Sequence, residues 1–136
     1  MNPLQLTDIE EAVRANWGPD TYPSDSARAW PPDNPARGQC GVTALVVQDL
    51  LGGELIRGEV RVADEWTDYH WWNRLGMGLE VDLTREQFRP EETVGGGVPI
   101  PRPPQITRLR EEYELLRARV LEKVGDPRHA PDGARR

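Results

Sequence analysis

The stretch Gly38-Gln39-Cys40-Gly41-Val42-Thr43-Ala44 stands where a proline-rich segment passes into a continuous apolar run. That run continues to Leu51 and is apolar on nearly all sides, which is typical of a helix buried in the middle of a domain. Its β-branched residues leave a strand conceivable. Its length and the Gly52-Gly53 stop favour a helix, because glycine accepts the left-handed conformation that caps one. The sequence therefore predicts a central helix over 40–51.

Cys40 is the only cysteine of the chain, so an internal disulfide is excluded. A lone cysteine in a buried helix is most often a small core residue. In the first turn of a helix, however, free backbone N–H groups and the positive end of the helix dipole stabilise a thiolate. Cys40 is therefore either an inert core residue or a nucleophile, and the rest of the chain must decide between the two.

The chain has 136 residues and a net charge of -6. This length fits one domain, which we predict over residues 1–124, with a flexible polar tail over 125–136. The acidic balance argues against a nucleic-acid or membrane partner. The N-terminus lacks a signal segment, and no apolar run approaches the roughly 20 residues that span a bilayer. A cytoplasmic location is the expectation.

The pattern predicts an α+β domain in which the central helix packs against an antiparallel sheet of three or more strands. Alternating or aromatic-rich segments predict the strands, and apolar stripes at helical spacing predict two further helices. A capping box, Thr7 with Glu10, starts the first of these helices. The predicted strands are 54–62, 69–75 and 79–83; the further helices are 7–17 and a long amphipathic helix at 106–124; one helical turn lies at 84–88, and irregular segments lie at 18–37 and 95–104.

Two further side chains could join Cys40 in a thiol site. His70 lies on the second predicted strand, and Asp82 lies 12 residues later on the third. A turn near residue 76 or 77 places the two almost directly across from each other, about 5 Å apart. A slip of one residue would turn them to opposite faces. The alternatives are a surface histidine and an aspartate that caps a turn locally. One cysteine, one such histidine and one aspartate do not make a usual zinc site, and we expect no metal and no cofactor.

Three motifs carry a family resemblance. The block Gly38–Ala44 resembles the cysteine motif of transglutaminase-like proteins, His70-Trp71-Trp72-Asn73 resembles their H-x-W-N strand, and Asp82-Leu83-Thr84 resembles their D-x-T motif. Order and spacing agree at all three places, over about residues 30–90. The small size of the chain and the block Asn34-Pro35-Ala36-Arg37-Gly38-Gln39-Cys40-Gly41 are most similar to the small bacterial YunG-like group within that superfamily.

The resemblance implies a papain-like core and a hydrolase or transferase that acts on an amide, peptide or isopeptide bond. Cys40 would attack the carbonyl, His70 would carry the proton, and Asp82 would orient the imidazole. The Cys40 backbone N–H and a side chain would bind the oxyanion; Asn34 is the first candidate, and Gln39 and Trp30 are its rivals. Trp30 could instead anchor its loop. Two other interpretations stay open: a non-catalytic protein-binding module, and a homodimer through the C-terminal helix.

Overall fold

The computed structural model describes residues 5–125, and the domain is of the expected α+β class, with three helices and a five-stranded antiparallel sheet. Most of the predicted tail therefore lies outside the described residues, as do residues 1–4. The helices are α1 (Leu6–Asn16), α2 (Cys40–Leu51) and α3 (Arg110–Val124); the strands are β1 (Glu54–Val62), β2 (Glu65–Arg74), β3 (Glu80–Val81), β4 (Glu92–Val94) and β5 (Val98–Ile100); single 3-10 turns cover Gly76–Gly78 and Arg85–Gln87.

Strand β1 lies at the centre of the sheet. It pairs along its whole length with β2, and β2 pairs with β3. The other edge of β1 is shared, since β5 pairs with Leu55–Arg57 and β4 pairs with Val60–Val62. The expectation of an irregular connector over 95–104 is wrong for β5. Pro99 fits there because proline, which lacks an N–H, is tolerated on an edge strand.

Several element boundaries differ from the predicted ones. Helix α1 begins at Leu6 after Gln5, which gives no side-chain cap, so the predicted capping box of Thr7 and Glu10 is wrong. Strand β2 begins at Glu65 rather than 69, and β3 has only two residues. Helix α3 begins at 110 instead of 106 because Leu109 takes a left-handed conformation, with φ 61°.

The core lies between the three helices. Helix α2 contributes Val42, Val46 and Val47, and it meets Ile9 and Val13 of α1 and Leu116 and Val120 of α3. All of these side chains are fully buried. The apolar stripe of α3 is thus buried within one chain. The homodimer through α3 stays a prediction, and it would have to use the outer face of that helix.

Candidate active site

Cys40 is the first residue of α2, and its side chain is partly exposed. The chain reaches it through Gly38, which has φ 76° and where a Cβ would come within 2.4 Å of the Tyr22 ring. The Gly38 N–H donates to Oε1 of Gln87 at 3.1 Å. No side chain caps α2. The backbone therefore enters the helix through a fixed turn and presents the sulfur at an uncapped helix start.

His70 and Asp82 are in contact, as the sequence predicted. Nε2 of His70 lies 2.6 Å from Oδ2 of Asp82. The imidazole is only 1% exposed, whereas the carboxylate is 26% exposed. A hydrogen bond to an ionised partner is among the stronger ones in proteins. The contact therefore fixes the orientation of the imidazole ring.

The register that makes this contact centres the turn on residue 77, the second of the two expected positions. Asn73 pairs with Val81, and Arg74 pairs with Glu80. If this register is continued, Asp82 lies opposite Trp72 and diagonal to His70, rather than directly across from it. The offset is two residues, so both side chains still project from the same face of the sheet. Ladder pairing ends at Val81, and the aspartate lies just past the strand.

The second oxygen of the Asp82 carboxylate is also held. Oδ1 accepts hydrogen bonds from the Thr84 backbone N–H at 3.2 Å and from the Thr84 hydroxyl at 3.3 Å. Thr84 is buried. The threonine of the D-x-T motif thus orients the carboxylate from one side while His70 contacts it from the other.

His70 interacts with Cys40 as well as with Asp82. Burial by itself lowers the pKa of His70, but the hydrogen bond to Asp82 and the proximity of Cys40 raise it to about 9. Because Asp82 occupies Nε2, the nitrogen left for the sulfur is Nδ1. Nδ1 is buried and makes no hydrogen bond in the described part of the chain. At neutral pH the imidazole is therefore protonated.

Two aromatic rings enclose the imidazole. Phe88 meets it edge to face with ring centroids 4.6 Å apart, and Trp72 stacks on it at 5.4 Å. The Trp72 indole N–H is fixed by Glu80 at 2.9 Å. These rings keep water from the imidazole, whereas the Cys40 sulfur and the Asp82 carboxylate on either side of it are partly exposed.

A cleft of about 670 Å³ opens beside Cys40. Its lining combines aromatic side chains with charged ones: Tyr22, Tyr69, Trp71 and Phe88 among the former, and Arg28, Arg37, Arg89, Arg108, Asp25, Asp68 and Glu92 among the latter. Arg57 stacks on Tyr69 with its guanidinium carbon 4.1 Å from the ring centroid. A cleft of this size accommodates a peptide segment or a small amide.

The three predicted oxyanion and substrate residues lie elsewhere. Asn34 donates its side-chain N–H to the Gln87 carbonyl at 2.9 Å. Gln39 is fully buried, where it accepts from Thr21 and donates to the Gly18 carbonyl. Trp30 donates its indole N–H to the Pro35 carbonyl at 3.2 Å. None of the three lines the cleft. Their polar side-chain groups hold the loop before α2 in shape.

Two residues that the sequence did not single out connect the site. Phe88 contacts His70 and also lines the cleft. Gln87 is buried; besides accepting from Gly38, its side chain donates to the Thr84 carbonyl at 3.2 Å, so it joins the cysteine loop to the aspartate segment. A glutamine or a phenylalanine in a short turn carries no signal that distinguishes it in a single sequence.

Within residues 5–125, no group of three or more His, Cys, Asp or Glu side chains is placed to hold a metal ion. No helix in that range is both long enough and apolar enough to cross a bilayer.

Comparison with known proteins gives a family match and one relative. The family model described as YunG protein matches residues 5–125. The uncharacterized protein YunG of Bacillus subtilis (strain 168) is 42% identical over 64 residues, which make up 47% of this chain and 50% of that protein. The match thus spans about half the length of the curated relative. No solved structure matches the chain.

Proposed function

This chain belongs to the YunG protein family, and we propose that it is a cysteine-dependent hydrolase or acyltransferase that acts on an amide, peptide or isopeptide bond. The observation that carries the proposal is the 2.6 Å contact of His70 with Asp82, on an imidazole whose remaining nitrogen is free for Cys40. A carboxylate, an imidazole and a thiol in series are the groups that nucleophilic thiol catalysis requires.

Each group has a distinct part in the proposed reaction. The Cys40 thiolate attacks the substrate carbonyl, and the carbonyl π electrons move onto oxygen. When the oxyanion collapses, the C–N bond breaks and His70 gives its proton to the leaving amine. Water or an acceptor amine then attacks the thioester, His70 takes its proton, and the thiolate leaves. The Cys40 backbone N–H at the uncapped start of α2 stabilises the oxyanion.

The arrangement of the elements supports a papain-like core and a relationship to transglutaminase-like proteins as part of this proposal. The nucleophile opens a central helix, the histidine lies on an antiparallel strand beside it, and the aspartate follows the next strand. Cysteine, histidine and aspartate come in that chain order. The D-x-T threonine has a physical role here as well, because it holds the carboxylate.

Alkylation of Cys40 by iodoacetamide tests the proposal. A thiolate paired with an imidazolium reacts quickly at pH 6 to 7, where an ordinary thiol is protonated. We expect the folded protein to react faster than the urea-denatured one at that pH, and we expect His70→Gln to slow it at least tenfold. Circular dichroism checks that the variant is folded.

The opposite outcome separates catalysis from simple burial. If the native thiol reacts no faster than the denatured one, Cys40 is not a nucleophile. The same cleft would then serve a non-catalytic module that binds peptides. Lys123→Gln serves as a control variant, because it changes an exposed residue near the end of α3 and should leave the rate unchanged.

A further inference from the structure

The cleft beside Cys40 is lined by more basic than acidic side chains, whereas the whole chain is acidic. The chain carries a net charge of -6. The cleft is lined by four arginines and three acidic residues. Guanidinium groups are therefore concentrated beside the one thiol of an acidic protein.

Two of the four arginines are already paired. Arg37 makes a two-point ion pair with Glu92, at 2.7 and 3.0 Å, and Arg108 lies 3.5 Å from Asp25. These pairs leave Asp68 as the third acid of the lining. Its Oδ1 accepts the Tyr69 backbone N–H at 2.7 Å.

Arg28 and Arg89 remain. Among the ion pairs of the described residues none involves either guanidinium, although Arg89 lies near enough to Glu92 to lower the pKa of that carboxylate, and both side chains are exposed at the cleft. A guanidinium presents paired N–H donors that match the two oxygens of a carboxylate. Aromatic rings of Tyr69, Trp71 and Phe88 lie on the same cleft and suit the body of a peptide.

From this placement we propose that the cleft selects a substrate that carries a carboxylate near the bond that Cys40 attacks, and that Arg28 and Arg89 determine this specificity. The inference rests on the proposed function for the identity of the reacting bond, but carboxylate recognition itself can be tested without catalysis. An acidic side chain and a free C-terminal carboxylate are the two peptide sources of such a group.

A matched pair of alkylating reagents reads the cleft charge at Cys40. Iodoacetate and iodoacetamide are of nearly equal size and differ by one negative charge. At low salt, the rate with iodoacetate divided by the rate with iodoacetamide on the folded protein should fall on the order of two- to threefold in Arg28→Gln, and by a similar factor in Arg89→Gln. This difference between the variants and the wild type should disappear near 1 M salt, where charge interactions are screened beyond a few ångströms. Because His70 is present in every variant, its own attraction for iodoacetate cancels from the comparison.

Lys123→Gln is the matched control. It removes the same charge but lies 14 positions beyond Leu109, about 21 Å along α3 from the cleft. The rate ratio should not change in this variant. Equal ratios in wild type, Arg28→Gln and Arg89→Gln would overturn the inference, even if Cys40 reacts rapidly with both reagents and the proposed function stands.

Calorimetric titration of Cys40→Ser protein provides a readout that does not need a reactive thiol. Three short peptides are compared: one with a free terminal carboxylate, the same peptide amidated, and an amidated peptide that contains one glutamate. The inference is supported if the peptide with a free terminal carboxylate or the peptide with glutamate binds more tightly than the amidated one, and if Arg28→Gln or Arg89→Gln weakens that binding at least threefold. The peptide that binds more tightly shows which source of carboxylate the cleft uses. Equal binding of all three peptides, or no binding, overturns it.

Discussion

The replacement of Asp82 by asparagine should convert His70 from a cation into a neutral base. Asparagine still offers Oδ1 to Thr84, so the local hydrogen bonds of the D-x-T segment can persist. Its amide, however, can only donate to Nε2, and Nε2 accepts only when the imidazole is neutral. Burial of a 1% exposed ring then lowers the pKa of His70 with less to oppose it.

The magnitude follows from the pKa of His70, which is raised from 6.5 to about 9. A difference of about 2.5 pKa units at about 1.4 kcal/mol for each unit gives about 3–4 kcal/mol. Because the folded pKa is the higher one, this stabilisation is fully present below pH 6.5 and is lost as the pH rises through 9. We expect the free energy of unfolding to fall by about 3 kcal/mol between pH 6 and pH 9.5, and most of this loss should be absent in Asp82→Asn.

Urea denaturation at a series of pH values measures this difference, and the shift of the imidazole Cε1 proton in NMR spectra reports the pKa directly. Both proteins should carry His129→Gln, which leaves His70 as the single histidine. A midpoint near 9 in the parent and a clearly lower midpoint in Asp82→Asn are expected, since Cys40 alone then opposes the effect of burial. A parent midpoint near 6.5, or parallel stability curves for the two proteins, would refute the proposed electrostatic role of Asp82.

Three further predictions concern the scaffold of the site. Gln87→Ala leaves the Gly38 N–H without its acceptor, whereas the Thr84 carbonyl keeps the hydrogen bond from the Gln87 backbone N–H; we therefore expect a loss of about 1–2 kcal/mol in urea denaturation, and a loss below 0.5 kcal/mol would contradict this role. Gly58→Ala places a Cβ 2.6 Å from the Gly95 carbonyl oxygen, whereas a Cβ at Gly76 meets nothing within 4 Å. Gly58→Ala should therefore cost more than 2 kcal/mol and Gly76→Ala almost nothing, and equal effects on the melting temperature would argue against the close approach. The turn after β1 holds two residues at φ 51° and 66°, so the double change to Asn-Gly at 63 and 64 should stabilise the hairpin by about 1 kcal/mol; an unchanged or lower melting temperature would count against strain there.

The central elements of the fold could be predicted because their signals are local. Helix α2 was confirmed at both ends, since an apolar run and a glycine pair define it. Strand β1 was confirmed over the same residues, 54–62. The short edge strands β4 and β5 have three residues each, and an isolated triplet such as Val98-Pro99-Ile100 gives no periodicity to detect. Only the neighbouring strand β1 makes them strands.

The candidate site was predictable as a set of residue types but not as a geometry. The contact between His70 and Asp82 was predicted from a turn near residue 76 or 77; the turn is centred on 77, and the resulting offset of two keeps both side chains on one face. The roles given to Asn34 and Gln39 depended on where a loop without regular structure passes. That path is set by distant partners, such as Thr21 and Gln87, which spacing along the chain does not reveal.

Because Phe88 and Trp72 enclose His70, a chemical change at Cys40 should alter the thermal stability of the protein. Cys40 is partly exposed and the imidazole beside it is buried, so an adduct formed on the sulfur changes the surroundings of a charged ring that has little access to water. An acylated or oxidised population would therefore melt at a different temperature from the free thiol in mildly acidic buffer. Thermal shift screening of compound mixtures could thus reveal a covalent ligand before its structure is known.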